Sequence, residues 1–171
     1  MAETRASVVV PLYNEARSIA TLGERVAKVL DDEKLEWELV FVDDGSSDES
    51  YAEIEKLHRA DPRYKCVRFA RNFGAHVAAS AGLENASGDV AIVMTADLEE
   101  PPELIPEFLA KWRDGNHVVW GIRATRVNRG LSALASKAFH RIFAWLADQK
   151  AGQSEIGGGI FLLDGRALET V

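Results

Sequence analysis

The sequence predicts an α/β fold, a mostly parallel sheet with helices on both faces. Two features carry this. Short β-branched runs alternate along the chain with segments of helical spacing, and a polar turn follows each run. At 171 residues with 47% hydrophobic side chains, the chain has material for one core, so residues 1–171 are expected to form a single domain.

The elements follow in order. Ser7 to Val10 is the first strand, and behind it Ile19, Leu22, Val26 and Val29 recur every three or four residues. Leu39 to Val42 is the second strand, followed by Tyr51, Ile54 and Leu57 on one helical face. Next come a strand from Tyr64 to Phe69, a small-residue helix from Ala75 to Ala86, a strand from Val90 to Met94, a helix from Pro102 to Asp114 and a strand from His117 to Gly121. Cys66, the single cysteine, lies in an apolar run and is expected in the core. Asp164 reads as an N-cap, and the helix behind it has less than two turns before Val171, which predicts a piece of a longer protein.

A formal net charge of -7 argues against nucleic-acid binding, which needs a basic field. The charge is uneven, however. Residues 121–150 hold six Lys or Arg against Asp148 alone, a net +5 suited to an anion. No apolar run approaches the roughly 20 residues of a membrane span, and the N-terminus lacks the order of a signal peptide. With one unpaired cysteine, this predicts a cytoplasmic location. Leu131, Leu134, Phe139, Ile142, Phe143 and Leu146 beside Lys137, His140 and Arg141 form a basic amphipathic helix that could rest on the cytoplasmic membrane face.

Ligands of open parallel sheets bind at the carboxyl ends of the strands, so the residues there decide function. After the first strand, "PLYNEA" ends the ladder at Pro11 and offers Asn14 and Glu15 as helix caps. After the second, "VDDGSSDES" contains the capping-box pair Ser46 and Glu49, which leaves the adjacent acids Asp43 and Asp44 to face hydrogen-bond donors or a cation. After the third, "ARNFGAHVAASAG" offers Arg71 for a phosphate, Phe73 as a core anchor and His76 as a helix-start residue. After the fourth, "VMTADLEEPPE" sets Asp97, Glu99 and Glu100 before two prolines. The acids of this turn suit either a solvated helix start or Mg²⁺ or Mn²⁺ held together with a diphosphate.

Taken in order, "VVVPLYNE", "VDDGSSD", "RNFGAHVAASAGLENASGD" and "MTADLEEPPE" resemble the family-2 glycosyltransferases of GT-A fold, closest to the polyprenyl-phosphate (dolichyl-phosphate) sugar transferases. The resemblance implies inverting transfer of a sugar from a nucleotide diphosphate sugar (UDP or GDP) to a polyprenyl phosphate. It assigns Pro11, Tyr13, Glu15, Asp43, Asp44, Arg71 and Asp97 to the nucleotide sugar. It gives Arg123, Arg126 and Ser136 to the acceptor phosphate, and makes Asp97, Arg123 and Arg126 the groups that neutralise the leaving diphosphate. The metal falls to Asp97 and Glu99. Here the sequence departs from the family, whose Asp-x-Asp reads Thr95-x-Asp97 and whose following Gln is Glu99.

A hydroxyl acceptor requires a general base, for which Glu155 and Asp164 are weak candidates, whereas a phosphate monoester is already ionised. That difference favours the lipid phosphate. The competing reading is a domain that holds a nucleotide sugar without turnover. A dinucleotide oxidoreductase is disfavoured because no G-x-G-x-x-G follows the first strand.

Overall fold

The computed structural model describes residues 4–121 and 159–168. Its strands are Arg5–Leu12 (β1), Glu36–Asp43 (β2), Tyr64–Arg68 (β3), Val90–Val93 (β4), Val118–Trp120 (β5) and Phe161–Asp164 (β6). Its helices are Ile19–Asp32 (α1), Ser50–Ala60 (α2), Ala75–Glu84 (α3), Ile105–Arg113 (α4, entered through a 3-10 turn at Pro102–Leu104) and Gly165–Leu168 (α5). The sheet runs β3-β2-β1-β4-β6-β5. β1 pairs in parallel with β2 and β4, and β2 with β3; β6 is antiparallel to both β4 and β5.

Alternation along each strand sorts side chains onto two faces. Val8, Val10, Leu39, Phe41 and Ile92 form the larger core with Ile19, Leu22 and Val26 of α1, Ile54 of α2, and Ile105 and Leu109 of α4. Val9, Val40, Val42 and Val93 face the other way, against Ala78 and Leu83 of α3. This helix needs small residues because it lies directly on the sheet. A Cβ on Gly82 would stand 2.2 Å from Val9 Cγ1 and 2.9 Å from Val42 Cγ2.

Several expectations give way here. β6 was not expected, because its four residues are too short to show a period; its antiparallel pairing extends the sheet past β4. Cys66 is exposed on border strand β3, not in the core, although desolvation, with Asp43 adding to it, pushes its thiol up to about 11. Phe73 is exposed too, and meets Phe69 edge-on. Neither Asn14 nor Glu15 caps α1, which starts at Ile19 behind Ser18. The Ser46/Glu49 box does not form, since α2 starts at Ser50, whose N–H donates to Asp48 Oδ1 at 3.0 Å. Asp164 does cap α5, accepting from Ala167 N–H at 2.9 Å. Among the described residues no helix is long and apolar enough to cross a membrane.

One buried charge lies toward the end of the sheet opposite the carboxyl ends of β1 and β2. Glu38 is fully buried beside Ser7 on β1. Ser7 Oγ donates to its Oε1 at 2.6 Å, as do Ser87 N–H at 2.6 Å and Ser87 Oγ at 2.9 Å, while Lys65 and Arg5 pair with Oε2. Burial alone would raise this carboxyl's pKa, but hydrogen bonds from Lys65, Ser7 and Ser87 hold it at about 2.

Candidate active site

The sheet opens where its strands change direction. β1 pairs with β4 only as far as Val9 and Val93, with Met94 N–H donating to Val9 O, while on its other side β1 stays paired with β2 to Leu12 and Asp43. Residues two apart on a strand face the same neighbour. Pro11 therefore sits where the next N–H toward β4 would be required, and it has none to give. It ends the ladder on that side alone, and β1 and β4 part at their carboxyl ends.

Two turns frame the opening. Asn14, at φ 58, turns the chain after β1; its N–H donates to Ser46 Oγ at 2.9 Å and its Oδ1 accepts from Ser47 N–H at 2.9 Å. Glu15 N–H donates to Ser50 Oγ at 2.9 Å, and Ala16 N–H to Asp48 Oδ2 at 3.2 Å. The loops after β1 and β2 are thus laced together, which brings Pro11, exposed Tyr13 and Glu15 beside Asp43 and Asp44. The carboxylate of Glu15 accepts from Ser18 Oγ at 3.1 Å. Burial would raise the Asp48 carboxyl's pKa, but bonds from the Ser50 hydroxyl and N–H and from Ala16 hold it below its ordinary value. Sequence reasoning passed over Asn14 and Asp48 as lacing residues, since partners more than thirty positions away leave no local pattern.

Asp43 and Asp44 differ sharply in use. Asp44 is buried with both oxygens committed, Oδ1 to Phe73 N–H at 2.7 Å and Oδ2 to Gly74 N–H at 2.9 Å. It clips the loop after β3 onto the turn after β2. Gly45 lets the two backbones meet, because a Cβ there would lie 2.5 Å from Arg71 C, and its φ of +71 suits glycine besides. Asp43 is fully buried; Oδ1 accepts from Ser46 N–H at 2.8 Å, and Oδ2 lacks a hydrogen-bond partner among the described residues. Arg68 Nε stands 3.3 Å from that oxygen with its guanidinium 4.2 Å from the centre of the Tyr51 ring. Arg71 is exposed, its guanidinium over the Phe73 ring.

Past β4, Leu98 at φ 61 turns the chain sharply. Asp97 is exposed, and its Oδ1 accepts from Glu99 N–H at 3.0 Å and from Thr95 Oγ1 at 2.7 Å. Thr95 Oγ1 also lies 2.7 Å from Oε2 of buried Glu100. A hydroxyl carries one proton, so Thr95 serves one of these two carboxylates at a time. Among the described residues no group of three His, Cys, Asp or Glu is arranged to hold a metal. The hard oxygens of Asp97 and its neighbours still fit an ion that takes its other ligands from a diphosphate and water, the usual manner of Mg²⁺.

Asp164 does not reach this site. It pairs with Val90 at the start of β4, near the opposite end of the sheet from Asp97, and its carboxylate bonds His117 Nδ1. That excludes it as the base for chemistry here. Arg123, Arg126, Ser136, Glu155 and the amphipathic helix lie outside the described residues.

Comparison with known proteins agrees with this geometry. A Bacillus subtilis protein described as an uncharacterized glycosyltransferase is 39% identical over 143 residues, 83% of this chain and 44% of its own length. An undecaprenyl-phosphate 4-deoxy-4-formamido-L-arabinose transferase of Pectobacterium carotovorum is 41% identical over 136 residues, 78% of this chain and 41% of the relative. The chain thus spans about half the length of the curated relatives it matches. Among solved structures, a Pyrobaculum calidifontis mannosyltransferase in complex with GDP-Man and Mn²⁺ superposes with a TM-score of 0.64 at 20% identity, covering 99% of this chain and 47% of that one. Staphylococcus aureus TarS in complex with UDP-GlcNAc does so at 0.58 and 25% identity, covering 74% and 36%. The fold is that of the GT-A glycosyltransferases. The model of glycosyl transferase family 2 matches residues 7–164, and the chain belongs to that family.

Proposed function

We propose that this chain is the donor-binding part of an inverting glycosyltransferase that moves a sugar from a nucleotide diphosphate sugar to a polyprenyl phosphate. The observation that carries the reading is the lacing of the loops after β1 and β2, which brings Pro11, Tyr13 and Glu15 beside Asp43 and Asp44 at the carboxyl ends of these strands. Asp43 Oδ2 faces Arg68 at 3.3 Å without a hydrogen bond among the described residues, and a base N–H that reached it would complete its bonding. Pro11, Tyr13 and Glu15 border the base and ribose, Asp44 holds the wall of the pocket, and Arg71 reaches the phosphates. Asp97, with Glu99, would hold Mg²⁺ or Mn²⁺. When bound, the ion neutralises charge on the departing diphosphate. Arg123, Arg126 and Ser136 take the acceptor phosphate, whose oxygen attacks the anomeric carbon as the bond to the diphosphate breaks, so that configuration inverts and no protein base is required. An acceptor of this kind would bring the protein to the cytoplasmic membrane face. The undecaprenyl-phosphate transferases among the relatives support the acceptor class.

Calorimetric titration with UDP and GDP, with and without Mn²⁺, tests the donor half. Asp43→Asn, which removes the charge that faces Arg68 and puts an N–H₂ or one weaker acceptor in its place, is expected to weaken nucleotide binding at least about tenfold. Asp97→Asn should remove the metal dependence, and Thr95→Asp should strengthen it. Equal affinity in EDTA and in Mn²⁺ would overturn the metal assignment. Thr95 in place of the family's first Asp favours one second reading, a domain that binds the donor without turnover. Release of free sugar or transfer to polyprenyl phosphate by the wild-type protein would decide against it.

A further inference from the structure

β3 brings an arginine to the buried acid at the end of β2. Arg68, the last residue of β3, is in register with Asp43, the last residue of β2, and Phe69 N–H donates to Asp43 O at 2.9 Å. Residues paired in a parallel ladder share a face, so the two side chains stand together. The carboxylate is fully buried, whereas the arginine side chain is 50% exposed. Its guanidinium lies over the Tyr51 ring, 4.2 Å from the centre, and its Nε stands 3.3 Å from Asp43 Oδ2. Tyr51 follows Ser50, whose Oγ accepts from Glu15 N–H at 2.9 Å, so the first turn of α2 supports both this arginine and the loop after β1.

Two contacts fix the plane of the Asp43 carboxylate. Oδ1 accepts from Ser46 N–H at 2.8 Å, and Oδ2 faces the arginine, so turning the group would lose both. The second contact is one of charge and not a hydrogen bond, which leaves Oδ2 with its capacity to accept. A buried carboxylate needs a counter-charge, and Arg68 supplies one without using up the acceptor.

We propose that Arg68, seated on Tyr51, is the positioning residue behind the base specificity of the nucleotide pocket. It holds Asp43 oriented as an acceptor, so that a base with a ring N–H, uracil or guanine, is taken. A base with a bare ring nitrogen, cytosine or adenine, sets lone pair against lone pair and is refused. This rests on the nucleotide-sugar reading and adds to it the residue that enforces the choice of base.

Two pairs that share ribose and diphosphate and differ in the base, UDP with CDP and GDP with ADP, test the proposal by calorimetric titration of the whole chain. The wild-type protein is expected to bind UDP at least about tenfold more tightly than CDP, or GDP than ADP, as the loss of one buried hydrogen bond requires. Arg68→Met, which keeps the stem and removes the charge, should bring that pair within about threefold by weakening the N–H member. Arg68→Lys keeps a cation that can lie on the ring, and should retain most of the preference. Tyr51→Leu, which leaves both charges in place, should lose part of it, and should add little to Arg68→Met because the two side chains act as a unit. A preference that survives Arg68→Met overturns the proposal. So does an equal fall for both members of a pair, which would give Arg68 a structural role alone. Equal binding of both members by the wild type removes the base contact, and the role of Arg68 with it, while leaving the pocket; binding of none of the four removes the nucleotide reading itself.

Discussion

Glu38→Gln is expected to remove about 3 kcal/mol of stability at neutral pH and part of the protein's acid sensitivity between pH 5 and 2. In that window the lowered carboxyls of Asp48, Asp61, Glu103 and Asp164 also lose their contribution. The carboxyl titrates at about 2 in the folded protein against 4.5 in the unfolded chain. The unfolded state therefore binds the proton first as pH falls. The stabilisation is complete above 4.5 and is lost as pH drops through the folded value, and at 1.36 kcal/mol per unit the difference is about 3 kcal/mol. Ser7 and Ser87 bond a fully buried oxygen, so their share is insensitive to salt; Lys65 and Arg5 are partly exposed, and salt screens theirs. Urea unfolding at pH 7, 4.5 and 3 checks this. A variant whose pH dependence matches the wild type would show that the carboxylate does not govern acid stability.

Gly45→Ala should damage the ligand site out of proportion to its size. The added methyl would meet backbone, not a movable side chain, at 2.5 Å from Arg71 C and 2.7 Å from Arg71 Cα, and the φ of +71 costs a residue with a Cβ roughly 1–2 kcal/mol in addition. Relief requires the 71–74 loop to move off Asp44, whose two bonds to Phe73 and Gly74 then lengthen together. Nucleotide affinity is expected to fall by more than about tenfold, with stability lower by about 2–3 kcal/mol. Gly115→Ala is the control. Its φ of +96 also strains a residue with a Cβ, but a Cβ there meets nothing within 4 Å and the position follows α4, away from Asp44, so it should lose stability and keep the nucleotide affinity.

The parallel half of this sheet was legible because each strand carries its own apolar run and each helix its own spacing. Asp43 and Asp97 stand out in the sequence as candidates because acids at the end of an apolar strand contradict the local pattern. What could not be read depends on contacts between distant positions. Glu38 looks like an ordinary polar residue in its strand until Ser7, Lys65 and Ser87 close around it. Asp44 looked like a ligand equal to Asp43, and only the fold of the loop after β3 commits both its oxygens to backbone. Phe73 and Cys66 were misplaced for a related reason, since a border strand and a loop leave apolar side chains with one covered side at most.

Gly121 N–H donates to Ile160 O at 2.9 Å, so the chain leaves the sheet and returns to it at almost one point. That bond joins β5 to β6 at the base of the intervening span, so the two strands meet in register whatever sequence lies between them. Loop-closure entropy grows only slowly with length, each doubling adding about 0.6 kcal/mol. Residues could therefore be inserted, deleted or exchanged there with little penalty to the strands that carry Asp43 and Asp97. A sheet closed in this way can keep the strand ends that carry Asp43 and Asp97 in place while the sequence between Gly121 and Ile160 varies.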